Sequence, residues 1–125
     1  MDPVGIGIIG CGNISGAYLT AARVFPILKV RAVADMDRKA AEARGAEFDV
    51  PVKSVAELLA DPEIDIVVNL TVPGAHVEVG LQAIAAGKHV HSEKPLGIAV
   101  AEAKTLVAAA EAKGLRVGCA PDTFL

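Results

Sequence analysis

The chain has 125 residues, 53% of them hydrophobic and 22% charged, with 12 Lys+Arg against 15 Asp+Glu for a net charge of −3. That is one domain's worth of protein, with enough apolar side chain to offset the entropy of ordering, so a disordered tail is excluded. A nucleic-acid partner is excluded as well, because there is no basic stretch and only four aromatic residues (one Tyr, three Phe) could stack on bases.

Val4 to Ile9 is a short apolar run ended by Gly10, which predicts a buried strand. Asn13 to Val24 follows as a helix, with Ile14, Ala17, Tyr18 and Ala21 on its apolar face. The uncharged run from Pro3 to Ala22 is 20 residues long, enough to span a bilayer. Its glycines at 5, 7, 10, 12 and 16, with Asn13 and Ser15, would break a lipid-facing helix, and acidic Asp2 leaves no basic leader segment. The chain therefore reads as soluble and cytoplasmic, with no membrane partner.

Ile27 to Ala34 is a second β-branched run closed by Asp35, and Arg38 to Arg44 is a helix that Gly45 should stop. A short third strand is expected around Val50 to Val52. Ser54-Val55-Ala56-Glu57 is a capping box that opens a helix ended by Asp61-Pro62. Ile64 to Leu70 is the fourth strand, Ala75 to Ala86 a helix ended by Gly87, and His89 to His91 the fifth strand. Ala99 to Lys113 is the longest helix, ended by Gly114, and Leu115 to Cys119 is the sixth strand. Short apolar strands separated by helices predict an α/β fold: a doubly wound parallel sheet, six strands in the order 3-2-1-4-5-6.

The first strand runs straight into Gly10-Cys11-Gly12-Asn13-Ile14-Ser15, where a helix begins. Gly10 permits a tight turn, Gly12 leaves no side chain in the way of a pyrophosphate, and Ser15 is small enough for the helix to approach the strand. The N–H groups at the helix start, Asn13 and Ile14 among them, then favour phosphate. Such a glycine motif says little alone; following a strand and opening a helix, it reads as a dinucleotide site of the Rossmann type. Asp35, at the second strand tip and 19 positions after Gly16, is placed to accept from both ribose hydroxyls and to repel a 2′-phosphate. That favours NAD. Arg38, one turn later, could instead pair with the 2′-phosphate of NADP, and Asp35 could be only a turn residue with Asp37 as the helix N-cap.

Two polar clusters follow the later strands, Asn69-Leu70-Thr71-Val72-Pro73-Gly74-Ala75-His76 and Ser92-Glu93-Lys94-Pro95. With the G-C-G-N-I-S turn, V-A-D at the second strand tip and G-K-H-V-H-S-E-K-P, the whole chain resembles the N-terminal domain of the glucose–fructose oxidoreductase / inositol dehydrogenase / MocA family. The resemblance implies a proton-moving role for Lys94 near a reacting hydroxyl, and a cofactor or positioning role for Glu93. It implies a turn-fixing role for Pro95, and a nicotinamide-side lining from Thr71, Pro73 and His76. Read from its residues alone, Lys94 could be an ordinary surface lysine, and His76 could simply occupy its helix's first turn.

The resemblance also implies a further substrate-binding domain, absent after the apolar Phe124-Leu125, so the chain is expected to bind dinucleotide without turnover. The reaction implied is hydride exchange with a secondary alcohol of a sugar or polyol. A redox-sensing module and an adenosyl-methionine methyltransferase are the alternatives. A mean hydropathy of +0.48 leads us to expect self-association. Cys11 and Cys119, on strands three steps or roughly 14 Å apart, lie beyond the about 7 Å a disulfide spans. No CxxC or His/Cys cluster indicates a metal.

Overall fold

The computed structural model describes residues 3–93 and 100–119. Five strands form one parallel sheet: β1 (Val4–Ile9), β2 (Leu28–Ala34), β3 (Ile66–Asn69), β4 (His89–Ser92) and β5 (Val117–Cys119), in the order β2-β1-β3-β4-β5. Helices α1 (Ser15–Val24) and α2 (Arg38–Phe48) cover one face. Helices α3 (Val55–Ala60), α4 (His76–Ala85) and α5 (Val100–Ala112) cover the other. The doubly wound α/β fold is as expected.

The strand count is not. Val50 to Val52 lies beside β2 as the order requires, but only as an isolated bridge between Val33 and Val52. Pro51 has no N–H to donate, and the N–H of Val50 is taken by the Gly45 carbonyl at 3.0 Å, so a ladder cannot extend. Among the described residues the sheet thus has five strands, not six.

Two helix readings also change. Gly45 does not stop α2, which continues to Phe48 and ends on Asp49 in the left-handed conformation, φ 55°. Gly45 is instead buried within the helix, where a Cβ would stand 2.4 Å from Val52 Cγ2 and 2.8 Å from the Val50 carbonyl oxygen. The glycine lets α2 close onto the bridge segment. On α1 the buried residues are Ser15 and Leu19, while Ile14, Ala17 and Ala21 face solvent and Tyr18 is half-buried. Ser15 is drawn in against the Gly12 carbonyl, and with Leu19 one turn on it makes the inward stripe in place of the expected one.

The remaining caps match the sequence. Ser54 Oγ accepts from Glu57 N at 3.1 Å while Glu57 Oε1 accepts from Ser54 N at 2.9 Å, and Asp37 caps α2 through the N–H of Lys39. A short 3-10 turn, Pro73–Ala75, leads into α4.

Register places the site. One line of paired residues crosses the sheet through Ala34, Ile9, Asn69, Ser92 and Cys119. Gly10, Asp35 and Glu93 are each the next residue beyond that line, at the carboxyl edge. The chain goes outward from β1 to β2, then returns to β3 on the opposite side of β1, so a crevice opens between the connections leaving β1 and β3.

Candidate functional site

The turn after β1 is wedged between its neighbours. Gly10 donates to the Ala34 carbonyl at 2.8 Å and takes φ +106°, and a Cβ there would come within 2.5 Å of the Leu70 carbonyl carbon. Gly12 is the opposite case: a Cβ would meet nothing within 4 Å. The small third position is filled by Ser15, fully buried, whose hydroxyl donates to the Gly12 carbonyl at 2.6 Å. No side chain caps α1, and Asn13 and Ile14 are exposed beside its start. The positive end of a ten-residue helix therefore lies beside the open space over Gly12, although Ser15 N turns back onto the Gly12 carbonyl at 3.1 Å and Ala17 N onto the Ile14 carbonyl at 3.1 Å.

Asp35 is built into this turn. Its Oδ2 accepts from Cys11 N at 2.7 Å and its Oδ1 from Asp37 N at 2.8 Å. The carboxylate is both the turn residue and the only acid at the β2 tip that reaches the glycine turn among the described residues, and each oxygen keeps a second lone pair for a hydroxyl donor. Arg38 lies along its own helix, paired with Glu42 at 3.3 Å.

A second guanidinium, which the motif reading missed, approaches from α2: Arg44 donates to the Gly12 carbonyl at 3.3 Å and pairs with Glu47 at 2.8 Å. Only the helix phase could have found it, three residues from buried Ala41.

On the β3 side, buried Asn69 organises the connection. Its Nδ2 donates to the His76 carbonyl at 2.8 Å, and its Oδ1 accepts from Thr71 Oγ1 at 2.7 Å and from Thr71 N at 3.3 Å. His76 sits in the first turn of α4, 1% exposed, with Nε2 2.6 Å from the Thr71 carbonyl oxygen. A carbonyl only accepts, so Nε2 carries the proton. Thr71 is half-buried and Pro73 exposed.

Glu93 follows β4, held by its N–H on the Asn69 carbonyl at 3.0 Å, and its Oε2 accepts from the Tyr18 hydroxyl at 2.7 Å. Lys94 and Pro95 lie outside the described residues. His91 packs its ring 6.2 Å from that of Tyr18, whereas His89 serves the sheet by accepting from Arg116 N at 3.0 Å. No disulfide joins Cys11 to Cys119. Among the described residues no cluster of His, Cys, Asp or Glu could hold a metal ion, and no helix is long and apolar enough to cross a membrane.

Two groups here resist ionisation. Burial, and then the Asp35 charge, push the Cys11 thiol up to about 11, with Arg44 opposing. Burial and then the Glu93 bond push the Tyr18 phenol up to about 12. Both folded values lie above the ordinary 9.0 and 10.0, so their contribution to stability is complete below those values and lost as pH rises through the folded ones. The urea midpoint should therefore fall between pH 9 and 11, and fall less steeply in Cys11→Ala. Parallel slopes for the two proteins would contradict this.

A parallel doubly wound sheet, an open glycine turn at its switch point and an acid at the β2 tip define a dinucleotide-binding Rossmann domain. Residues 4–120 match the Gfo/Idh/MocA family, described as an oxidoreductase family with an NAD-binding Rossmann fold. The chain belongs to that family.

Among curated relatives it is 35% identical over 113 residues to a trans-1,2-dihydrobenzene-1,2-diol dehydrogenase of Sus scrofa, covering 87% of this chain and 34% of the relative. It is also 35% identical over 108 residues to an inositol 2-dehydrogenase/D-chiro-inositol 3-dehydrogenase of Lacticaseibacillus casei, covering 83% and 31%. A crystal structure from gentamicin A biosynthesis in complex with NAD superposes with a TM-score of 0.91 at 29% identity, over 95% of this chain and 34% of that one. A 3-ketoreductase from Actinomadura kijaniata in complex with TDP-benzene and NADP gives a TM-score of 0.86 at 32% identity, over 94% and 38%. The chain spans about a third of the length of the curated relatives it matches.

Proposed function

We propose that this chain is the NAD-preferring cofactor half of an oxidoreductase that moves hydride to or from a secondary alcohol of a sugar or polyol. The observation that carries the reading is the joint between Asp35 and the glycine turn, where the acid at the β2 tip is fixed 2.7 Å from Cys11 N beside the open space over Gly12. That space and the uncapped helix start fit a pyrophosphate. Asp35 accepts the adenosine-side hydroxyls, and its charge opposes a 2′-phosphate there. Exposed Met36, Val72 and Ile14 stand at this edge of the sheet and can cover apolar faces of a ligand. When bound, the nicotinamide ring supplies the hydride donor or acceptor.

Thr71, Pro73 and His76 would line the nicotinamide side, with Glu93 and Pro95 ordering the segment that carries Lys94. Lys94 would hold or accept the proton of the reacting hydroxyl. The relatives' named activities on diols and inositols support this substrate class. Substrate binding and the rest of the acid–base set would come from a further domain, so the chain alone binds cofactor without turnover.

The test is a set of titrations with NAD, NADP and S-adenosylmethionine. NAD should bind most tightly, and Asp35→Asn should weaken NAD about tenfold while changing NADP less, because bonds to a charged acceptor are lost. A preference for NADP would move the weight from Asp35 to Arg38. A preference for S-adenosylmethionine would overturn the reading.

A further inference from the structure

We propose that Tyr18 is a positioning residue of the cofactor site, holding the Glu93 carboxylate against α1 so that Oε2 is committed and Oε1 is presented to a hydroxyl on the nicotinamide side of the dinucleotide. This rests on the dinucleotide reading above.

Five observations support it. The Tyr18 hydroxyl donates to Glu93 Oε2 at 2.7 Å across 75 residues of sequence. The Glu93 side chain makes no other hydrogen bond among the described residues. Tyr18 lies on the helix that the glycine turn opens, so a single bond ties the phosphate end of the site to the strand that leads into Lys94. Its ring is itself packed, half-buried and 6.2 Å from the His91 ring, so the hydroxyl has a fixed base. The phenol also stays protonated well above neutral pH, as a donor must. A glutamate at the mouth of a site has several rotors to immobilise when ligand arrives; a bond already made removes part of that cost.

The sheet order separates the two halves of the ligand. Asp35 after β2 and Glu93 after β4 lie on opposite sides of the β1–β3 crevice, so a ligand carrying only the adenosine half should not depend on Glu93. Tyr18→Phe keeps the ring and removes the hydroxyl. In the full chain it should weaken NAD about tenfold, the usual loss for a bond to a charged group, and change ADP by less than about twofold. A role in folding alone would weaken both ligands together. In Glu93→Ala, adding Tyr18→Phe should cost nothing further.

A second readout uses Tyr18 as the sole tyrosine, in a chain with no tryptophan. In Glu93→Gln its tyrosinate absorbance should appear at lower pH than in the unsubstituted chain, because a negative charge that opposes ionisation is gone. NAD binding equally well to Tyr18→Phe, ADP falling in step with NAD, or an unmoved tyrosinate titration would each overturn this role and leave the dinucleotide reading standing. Failure of the unsubstituted chain to bind NAD would overturn both.

Discussion

Gly12→Ala is expected to cost roughly a hundredfold or more in NAD affinity while leaving stability within about 0.5 kcal/mol of the unsubstituted chain. Its neighbour in the motif, Gly10→Ala, is expected to lose about 3 kcal/mol or more and to lose binding only because the turn is lost. The difference follows from what a methyl group would meet. At Gly12 it meets nothing within 4 Å, and the backbone does not take a positive φ, so the folded protein has no reason to object. The methyl simply occupies the space in which a pyrophosphate would approach the helix start. At Gly10 the backbone sits at φ +106°, and the methyl would stand 2.5 Å from the Leu70 carbonyl carbon and 2.9 Å from Thr71 N. Those are main-chain atoms at the end of β3, which cannot swing aside as a side chain could. Urea unfolding and NAD titration of the two variants separate the effects. Equal destabilisation by both would contradict the assignment of Gly12 as open ligand space.

Asn69→Ala is the second large effect, about 2–4 kcal/mol of stability with partial loss of the β3–α4 connection. The side chain is fully buried and bonds the Thr71 hydroxyl, the Thr71 N–H and the His76 carbonyl. Alanine removes all three bonds from a fully buried position and leaves a void in their place, and breaking a buried polar network costs more than the net worth of its single bonds. Asn69→Asp should be no milder: it keeps the acceptor for Thr71 but sets a carboxylate oxygen against the His76 carbonyl 2.8 Å away. A urea midpoint unchanged in Asn69→Ala would mean that the connection is held by something other than this residue.

These positions show how the site could be read from sequence and where the reading stopped. The glycine turn was legible because its chemistry is local: a strand, a turn needing positive φ at Gly10, a small residue at Ser15 and a helix follow one another within a few positions. The acid at the β2 tip was legible for the same reason. Asp35 bonding to Cys11 N, however, adds a structural duty to the ligand role proposed for it, and periodicity carries no trace of such a bond. The capping box at Ser54 and the N-cap at Asp37 likewise involve neighbours only, and both are present.

What failed depended on tertiary context. Gly45 has the composition of a helix stop, yet the need of α2 to lie against Val50 and Val52 overrides that local signal. Val50-Pro51-Val52 has strand composition, but Pro51 and a capping duty for Val50 N limit it to one bridge. The apolar face assigned to α1 was wrong because the glycine turn, not hydrophobic count, sets the rotation of the helix. That rotation brings Tyr18 to Glu93 and leaves Ile14 in solvent. Links such as Tyr18–Glu93, Asn69–His76 and Arg44–Gly12 join separate elements, so no window of sequence contains them.

If the carboxyl edge of this sheet, at the Gly10–Ser15 turn, binds a dinucleotide as proposed, it should do so in this chain without help. A calorimetric titration of the 125-residue chain with NAD, run beside Gly12→Ala, tests it most directly. One saturable site per chain is expected, with heat that disappears in the Gly12→Ala variant while its urea midpoint stays in place. A folded chain that takes up no NAD, or a Gly12→Ala variant that binds as well as the original, would contradict it.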